Sequence, residues 1–158
     1  APPTVALGML ADRARGFKDS ARNILDTGEF VINLVPERLV AAANQTSINA
    51  PYGVEELALA GLATTPSSHI APPRISDSPV AFECRTHTTV ETGPHQVVVI
   101  GQVIAVHIED RFILDAERAH IDTPALDLVA RSYGSDYVRS HDTFQLQRPI
   151  WPQRATEA

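Results

Sequence analysis

Residues 80–108 read VAFECRTHTTVETGPHQVVVIGQVIAVHI, and this stretch decides the fold. In residues 80–91, Val80, Phe82 and Cys84 alternate along one face of a predicted strand. The polar residues fall on the opposite face: Glu83, Arg85, His87, Thr89 and Glu91. Residues 97–108 form an apolar partner strand after a turn at 92–96, and Gly101 indicates a bulge or bend in it. Two strands of this length favour a strongly coiled antiparallel sheet or a barrel.

The residues before this hairpin predict a strand, a helix and a second strand. Residues 4–10 alternate between large and small side chains, which is typical of a strand packed on one face. A polar and basic loop is expected at 11–18. The apolar stripe of 19–27 predicts a helix that Asp19 or Ser20 caps and Gly28 ends. The apolar run that follows predicts a buried strand over 30–35.

The remaining segments complete a mostly β fold with inserted helices. We expect helices at 36–45 and 53–60, an extended proline-rich segment at 64–79, and a last strand at 142–147 after a connector. The chain has no visible repeat and no dividing linker. The sequence therefore predicts one domain over residues 1–149 and a C-terminal tail over 150–158.

Composition excludes several classes of protein. The 158 residues are 44% hydrophobic and 20% charged, which is close to the average for globular proteins. The formal net charge of −6 disfavours nucleic acid and anionic membranes as partners. No apolar stretch approaches the length of a membrane span. A single cysteine, Cys84, excludes an intramolecular disulfide and suits a reducing compartment, so we expect a cytoplasmic protein.

Common catalytic and metal-binding motifs are missing from the sequence. The six histidines have no metal-ligand spacing, so we expect no metal site. The chain contains no GxSxG, Walker or GxGxxG motif. Because Cys84 falls on the apolar face of its strand, we interpret it as a buried structural thiol. The residues point to no catalytic acid, base or nucleophile.

The start of the helix at 19–27 is the best candidate binding site. Free amides and a partial positive charge at a helix N-terminus attract anions. The basic and hydroxyl residues of this segment add to that attraction: Arg13, Arg15, Lys18, Asp19 and Ser20. An ordinary capped helix after a solvated basic loop explains the same residues. Gly8, on the small-residue face of the first strand, would let a flat group approach, or would simply pack under a neighbour.

Several stretches resemble a known family. Residues 18–24 read KDSARNI and residues 28–34 read GEFVINL, which resembles the signature KD[ST]..NI...GEFV.N of flavin reductase-like proteins with an FMN-binding split barrel. Residues 72–84, 99–103 and 121–137 follow the same family. The resemblance covers about residues 2–149.

The resemblance implies an antiparallel split β-barrel of six strands, usually a homodimer with flavin near the subunit interface. It implies that the FMN phosphate binds at Lys18, Asp19 and Ser20, and that Arg131 and Tyr137 match a later motif of the family. By themselves, Arg131, Gly134 and Tyr137 indicate only a turn with a packed tyrosine. Family members have a further strand and hairpin before the segment that matches Pro2-Pro3, so the resemblance predicts that N-terminal strands are missing from this chain.

The activity implied by the resemblance is reduction of flavin by NADH or NADPH, often for a partner monooxygenase. Hydride transfer is then the chemistry of the two cofactors, which the protein positions. The alternative is a non-catalytic flavin-binding or electron-transfer module on the same barrel. A third class is an interaction protein whose barrel has lost its ligand.

Overall fold

The hairpin predicted at residues 80–108 lies at the centre of the structure. A computed structural model of the chain describes residues 2–12, 16–51, 53–149 and 151. The strands, in chain order, are β1 (Thr4–Asp12), β2 (Gly16–Phe17), β3 (Glu29–Asn33), β4 (Thr64–Thr65), β5 (Arg74–Ile75), β6 (Val80–Gly93), β7 (Gln96–Ile108), β8 (Ile113–Asp115), β9 (His120–Ile121), β10 (Val129–Arg131) and β11 (Tyr137–Arg139). The helices are α1 (Asp19–Thr27), α2 (Val40–Gln45) and α3 (Glu56–Leu59), with 3-10 turns at Glu37–Leu39 and Asp110–Phe112.

Five of these strands form one antiparallel sheet in the order β2-β1-β7-β6-β3. The β6–β7 ladder runs from the pair Val80–Ile108 to the pair Gly93–Gln96, with three shifts of register. Each shift bends the ladder and increases its right-handed twist, as a coiled sheet requires. The prediction of a mostly β fold with helices inserted between antiparallel strands is confirmed.

The main hydrophobic core lies between α1 and one face of this sheet. Its fully or nearly buried members come from α1 and from three strands: Ile24, Phe30, Cys84, Val99 and Val103. On β1, Val5, Leu7 and Met9 pack against this cluster, whereas the small residues between them are exposed. The alternation predicted for residues 4–10 is therefore confirmed. Gly28 ends α1 in the left-handed conformation with φ 69°, as predicted.

A second cluster closes the far end of the hairpin. Val80, Phe112 and Leu126 are buried there, and Ile121 and Leu128 pack against them. The chain between residues 109 and 141, expected to be a plain connector, instead forms two small hairpins, β8–β9 and β10–β11. Strands of two or three residues have too short a pattern to be detected as alternation in the sequence.

The strand predicted at residues 142–147 is wrong. Phe144 and Leu146 alternate with polar residues, but they are 88% and 87% exposed, and the segment has no strand assignment. Period-two alternation indicates a strand only where a second strand and a core are available. Within the described residues, this segment has neither.

Helix and loop boundaries also differ from the prediction. The helix expected at 36–45 begins as a 3-10 turn before α2, and the helix expected at 53–60 is only the four residues of α3. The loop expected at 11–18 is shorter, because β1 continues to Asp12 and pairs with β2. Among the described residues, no helix has the length and apolar character needed to cross a membrane.

The largest departure concerns the polar face of β6. The sequence pattern places Glu83 on the polar face of this strand, yet its exposed fraction is 0%. The proline-rich segment at 64–79, which contains the short β4–β5 pair, lies over this side of the sheet and contacts Glu83 through two backbone amides. Long-range packing therefore overrides the local alternation.

Gly101 allows the sheet and the core to approach closely. A Cβ atom at this position would overlap the ring of Phe30 and lie 3.4 Å from Val5 Cγ2. The shift of register between Thr86 and Thr88 lies directly opposite, in β6, so the irregularity predicted at Gly101 is present in the partner strand.

We predict that Gly101→Ala destabilises the protein by ~1–3 kcal/mol, because the added methyl overpacks the core. The measurement is the free energy of unfolding in urea. Gly8→Ala is the matched control, since no heavy atom lies within 4 Å of the position its Cβ would occupy. Equal losses of stability in the two variants would contradict the assigned role of Gly101.

Candidate functional site

The start of α1 lies at the β1 edge of the sheet. Ala11 pairs with Phe17, so β2 runs beside the end of β1 and leads directly into Lys18. Lys18 is the N-cap residue, with extended backbone at φ −63° and ψ 161°. The expectation that Asp19 or Ser20 caps the helix is wrong, because Asp19 is already the first helical residue and, among the residues that the structure describes, no side-chain hydrogen bond caps this end.

Within the described part of the chain, no side chain accepts a hydrogen bond from the first amides of α1, so these backbone donors are available. The first helical hydrogen bond runs from the Arg22 N–H to the Lys18 carbonyl, 3.1 Å away. The amides before Arg22 therefore have no partner one turn earlier in the helix. Lys18 is exposed beside them and is the only lysine in the sequence. Positive charge and free amides are the two features that bind an anionic group at a helix N-terminus.

Asp19 contacts a neighbouring segment rather than the helix amides. Its Oδ2 accepts a hydrogen bond from the Gly53 N–H at 3.3 Å. Gly53 has a φ of +82°, a conformation that favours glycine. The carboxylate thus holds the turn around Gly53 beside the start of α1, while the helix dipole favours its negative charge.

The exposed face of β1 carries small residues up to Gly8, followed by the exposed side chain of Leu10 closer to the helix start. Thr4, Ala6 and Gly8 are exposed, and Gly8 has open space where a Cβ would be. Gly8 is three residues, or about 10 Å, from Ala11, where β1 meets β2. A flat group could therefore lie on β1 at Gly8. Arg13 and Arg15, the other basic residues predicted for this site, fall outside the described residues.

Arg131 and Tyr137 form a separate group on the β10–β11 hairpin. Arg131 Nε donates to the Gly134 carbonyl at 2.9 Å, and its guanidinium lies 5.7 Å from the centre of the Tyr137 ring. The Tyr137 hydroxyl hydrogen-bonds Asn44 of α2 at 3.4 Å. Within the described part of the chain, no hydrogen bond, ion pair or ring contact joins this pair to Lys18.

The hairpin that carries this pair is tied to the rest of the fold by charges. Arg139 Nε donates to Glu37 Oε2 at 2.7 Å, and a second guanidinium nitrogen contacts the other carboxylate oxygen. This bidentate pair holds the pKa of Glu37 below its usual range. The Arg131–Tyr137 pair is therefore positioned by β11 and α2, not by α1.

Sequence reasoning missed the charged network on the other face of β6. Glu83 accepts hydrogen bonds from Ser68 N–H at 2.7 Å, His69 N–H at 2.8 Å and His107 Nε2 at 2.6 Å. Burial alone would raise the pKa of Glu83, but these three bonds outweigh burial and hold it below its usual range. The available signal was that Glu83 is the one charged residue among the apolar residues 80–84, directly after a proline-rich segment.

Cys84 is buried, as predicted from its position on the apolar face of β6. Its exposed fraction is 0%, and burial raises the pKa of its thiol to about 11. The thiolate, which is the reactive form, is therefore scarce at neutral pH. This environment agrees with a structural thiol and not with a nucleophile.

We predict that native Cys84 resists alkylation at pH 8. With a pKa of about 11, only about one thiol in a thousand is ionised at that pH, and the sulfur is inaccessible. Mass spectrometry after iodoacetamide treatment should show unmodified native protein and full modification in denaturant. Rapid labelling of the native protein would contradict the buried position.

Among the described residues, no group of three His, Cys, Asp or Glu side chains is placed to hold a metal ion. The chain matches the flavin reductase like domain over residues 1–119. The protein belongs to the flavin reductase-like family. An uncharacterised protein of Deinococcus radiodurans is 38% identical over 154 residues, which cover 96% of this chain and 67% of that relative.

Solved structures show the same fold. Nitrilotriacetate monooxygenase component B from Bacillus cereus has a TM-score of 0.83 and 27% identity, covering 92% of this chain and 72% of that one. A Shewanella frigidimarina protein described as having a split barrel domain has a TM-score of 0.78 and 23% identity, covering 96% and 72% of the two chains. The predicted split-barrel fold and the family are both confirmed. The sheet described here has five strands.

Proposed function

We propose that this member of the flavin reductase-like family binds FMN and oxidises NADH or NADPH to reduce flavin. The observation that carries the proposal is the uncapped start of α1 at Lys18, in a chain that matches the family over residues 1–119. The FMN phosphate is the anion that this helix start would bind. The bound flavin would accept a hydride from the nicotinamide.

The residues of the helix start fit a phosphate group. Lys18 supplies a positive charge, the Ser20 hydroxyl is exposed, and the first amides of α1 point out of the helix end. Asp19 is turned to Gly53, so its role is to position that segment and not to bind the phosphate. Arg13 and Arg15 would add positive charge to the same site.

The flavin ring would lie on the open surface at Gly8. The small residues of β1 leave room there, since nothing lies within 4 Å of a Cβ built at Gly8. Arg131 and Tyr137, on the hairpin beside α2, are assigned to the flavin site from the family motif. No side chain of the chain is assigned as a catalytic acid or base.

The proposed partners follow from the same family. The protein is proposed to be cytoplasmic and to form a homodimer. Because the Bacillus cereus neighbour is named as a monooxygenase component, we also propose a partner monooxygenase that uses the reduced flavin. The second candidate function is a flavin-binding or electron-transfer module without reductase activity. It is supported by the flavoredoxin of Desulfovibrio vulgaris, a solved structure that has the same fold at a TM-score of 0.76 and 21% identity.

We predict that Lys18→Ala weakens FMN binding by about tenfold or more, because a charge-assisted hydrogen bond to phosphate is lost. Riboflavin, which has no phosphate, should bind both proteins equally. The measurement is quenching of flavin fluorescence on titration with protein. Arg118→Ala is the charge-matched control, since it removes one positive charge from the β8–β9 turn. Equal losses for FMN and riboflavin would exclude the phosphate assignment.

An activity assay separates the two candidate functions. Purified protein with FMN should oxidise NADH or NADPH faster than free FMN does, as followed at the nicotinamide absorbance. Binding of FMN without this oxidation would support the electron-transfer module. Failure to bind FMN at micromolar concentration would contradict both.

A further inference from the structure

The segment 66–73, here named the proline loop, reads PSSHIAPP and lies against the polar face of β3 and β6. Its base is closed by the pairing of β4 with β5. Inside the loop, the Ser67 hydroxyl donates to the Pro72 carbonyl. Because these bonds are the loop's own, they do not depend on its contact with the sheet.

Charged side chains attach the proline loop to the sheet. Three of its eight residues are proline and have no N–H, so five backbone donors remain. Three of these five are donated to carboxylates of the sheet: Ser68 and His69 to Glu83, and Ala71 to Glu29 at 3.0 Å. Arg85 completes the attachment by donating to the His69 carbonyl at 2.9 Å.

Glu83 is the most deeply placed member of this attachment. Its third partner, His107 of β7, is only partly exposed and donates Nε2–H to Oε1. The charged and titratable groups around it are His107 from β7, His69 from the proline loop, Glu29 from β3, and Arg85 from its own strand. The three hydrogen bonds stabilise the ionised form of the buried carboxylate. In turn, the ionised carboxylate satisfies the three donors, which would otherwise lack a partner.

Few apolar contacts oppose release of the loop. Ile70 is the buried residue of the proline loop, whereas Pro66, Ser68, His69, Ala71 and Pro73 are exposed. Segments with little buried apolar surface open locally at a lower free energy than the core does. The closed position of the loop therefore depends mainly on its bonds to the sheet carboxylates.

We propose that Glu83 is a latch for the proline loop: its ionised carboxylate holds the loop on β3 and β6, and its neutralisation releases the loop while the five-stranded sheet stays folded. The proposal does not depend on flavin binding. It assigns Glu83 a conformational role and leaves the reaction to the cofactors.

Hydrogen exchange of Glu83→Gln tests the latch. The Gln side chain keeps the volume of Glu but presents an NH2 group to donors and carries no charge. Exchange at the Ser68 and His69 amides should rise by at least about tenfold, because each loses a charge-assisted hydrogen bond. The amides of Val99 and Val103 in the central sheet should keep their protection. Glu91→Gln, at an exposed position of the same strand, is the matched control.

A pH series on the wild-type protein is the second arm and does not require the variant to fold. Because the pKa of Glu83 is lowered in the folded protein, its contribution is present above the ordinary pKa of a glutamate and is lost as the pH falls through the lowered value. After correction for intrinsic rates, loop exchange should rise in that acid range before the sheet amides lose protection. In Glu83→Gln, the Ser68 and His69 amides should show no such rise.

Two results would overturn the proposal. One is a proline loop that stays as protected in Glu83→Gln as in the wild-type protein. The other is loss of protection in the loop and in the central sheet together, either in the variant or on acidification. That second result would make Glu83 part of the global fold and not a latch.

Discussion

Pairing of β6 with β7 along their whole length is the interaction on which the other parts of the structure depend. β1 pairs with the edge of β7 that faces away from β6, and β3 pairs with the edge of β6 that faces away from β7. The chain must therefore pass from one edge of the sheet to the other between β2 and β3. The segment that makes this crossing is α1, which packs Ile24 on the apolar face of the hairpin. The position of Lys18 at the β1 edge follows from this crossing.

The opposite face of the sheet is covered by the proline-rich segment 64–79 and not by a helix. A helix brings its own internal hydrogen bonds, whereas a proline-rich segment exposes backbone groups that need partners. β3 and β6 supply these partners as side chains. Glu29 and Glu83 accept from the segment, and the Asn33 side chain accepts the Ile75 N–H at 2.9 Å. Polar residues on a covered face are therefore part of the packing and not a sign of exposure.

The sequence predicts what depends on local pattern and misses what depends on distant contacts. The β6–β7 hairpin, the alternation of Val5, Leu7 and Met9, and the stop at Gly28 are readable because neighbouring residues determine them. The burial of Glu83 is not readable from β6 alone, because the covering segment lies some fifteen residues earlier. At the candidate site, the charge of Lys18 is visible in the sequence. Lys18 is the N-cap residue of α1, and its side chain makes no capping hydrogen bond among the described residues. This position depends on the backbone path from β2 and is visible only in the structure.

The charges of Lys18 and Glu83 differ in how much they would destabilise the fold if they had no partner. Lys18 is exposed, so it stays hydrated whether or not an anion is bound, and the free amides beside it need no compensation from the core. Glu83 has no exposed surface, so its charge is tolerated only with its three donors in place. A ligand can therefore exchange at the start of α1 without disturbing the sheet. When the charge of Glu83 changes, the groups that donate to it must move to find other partners. The proline loop is the part that can move, because it is held to the sheet mainly by side chains.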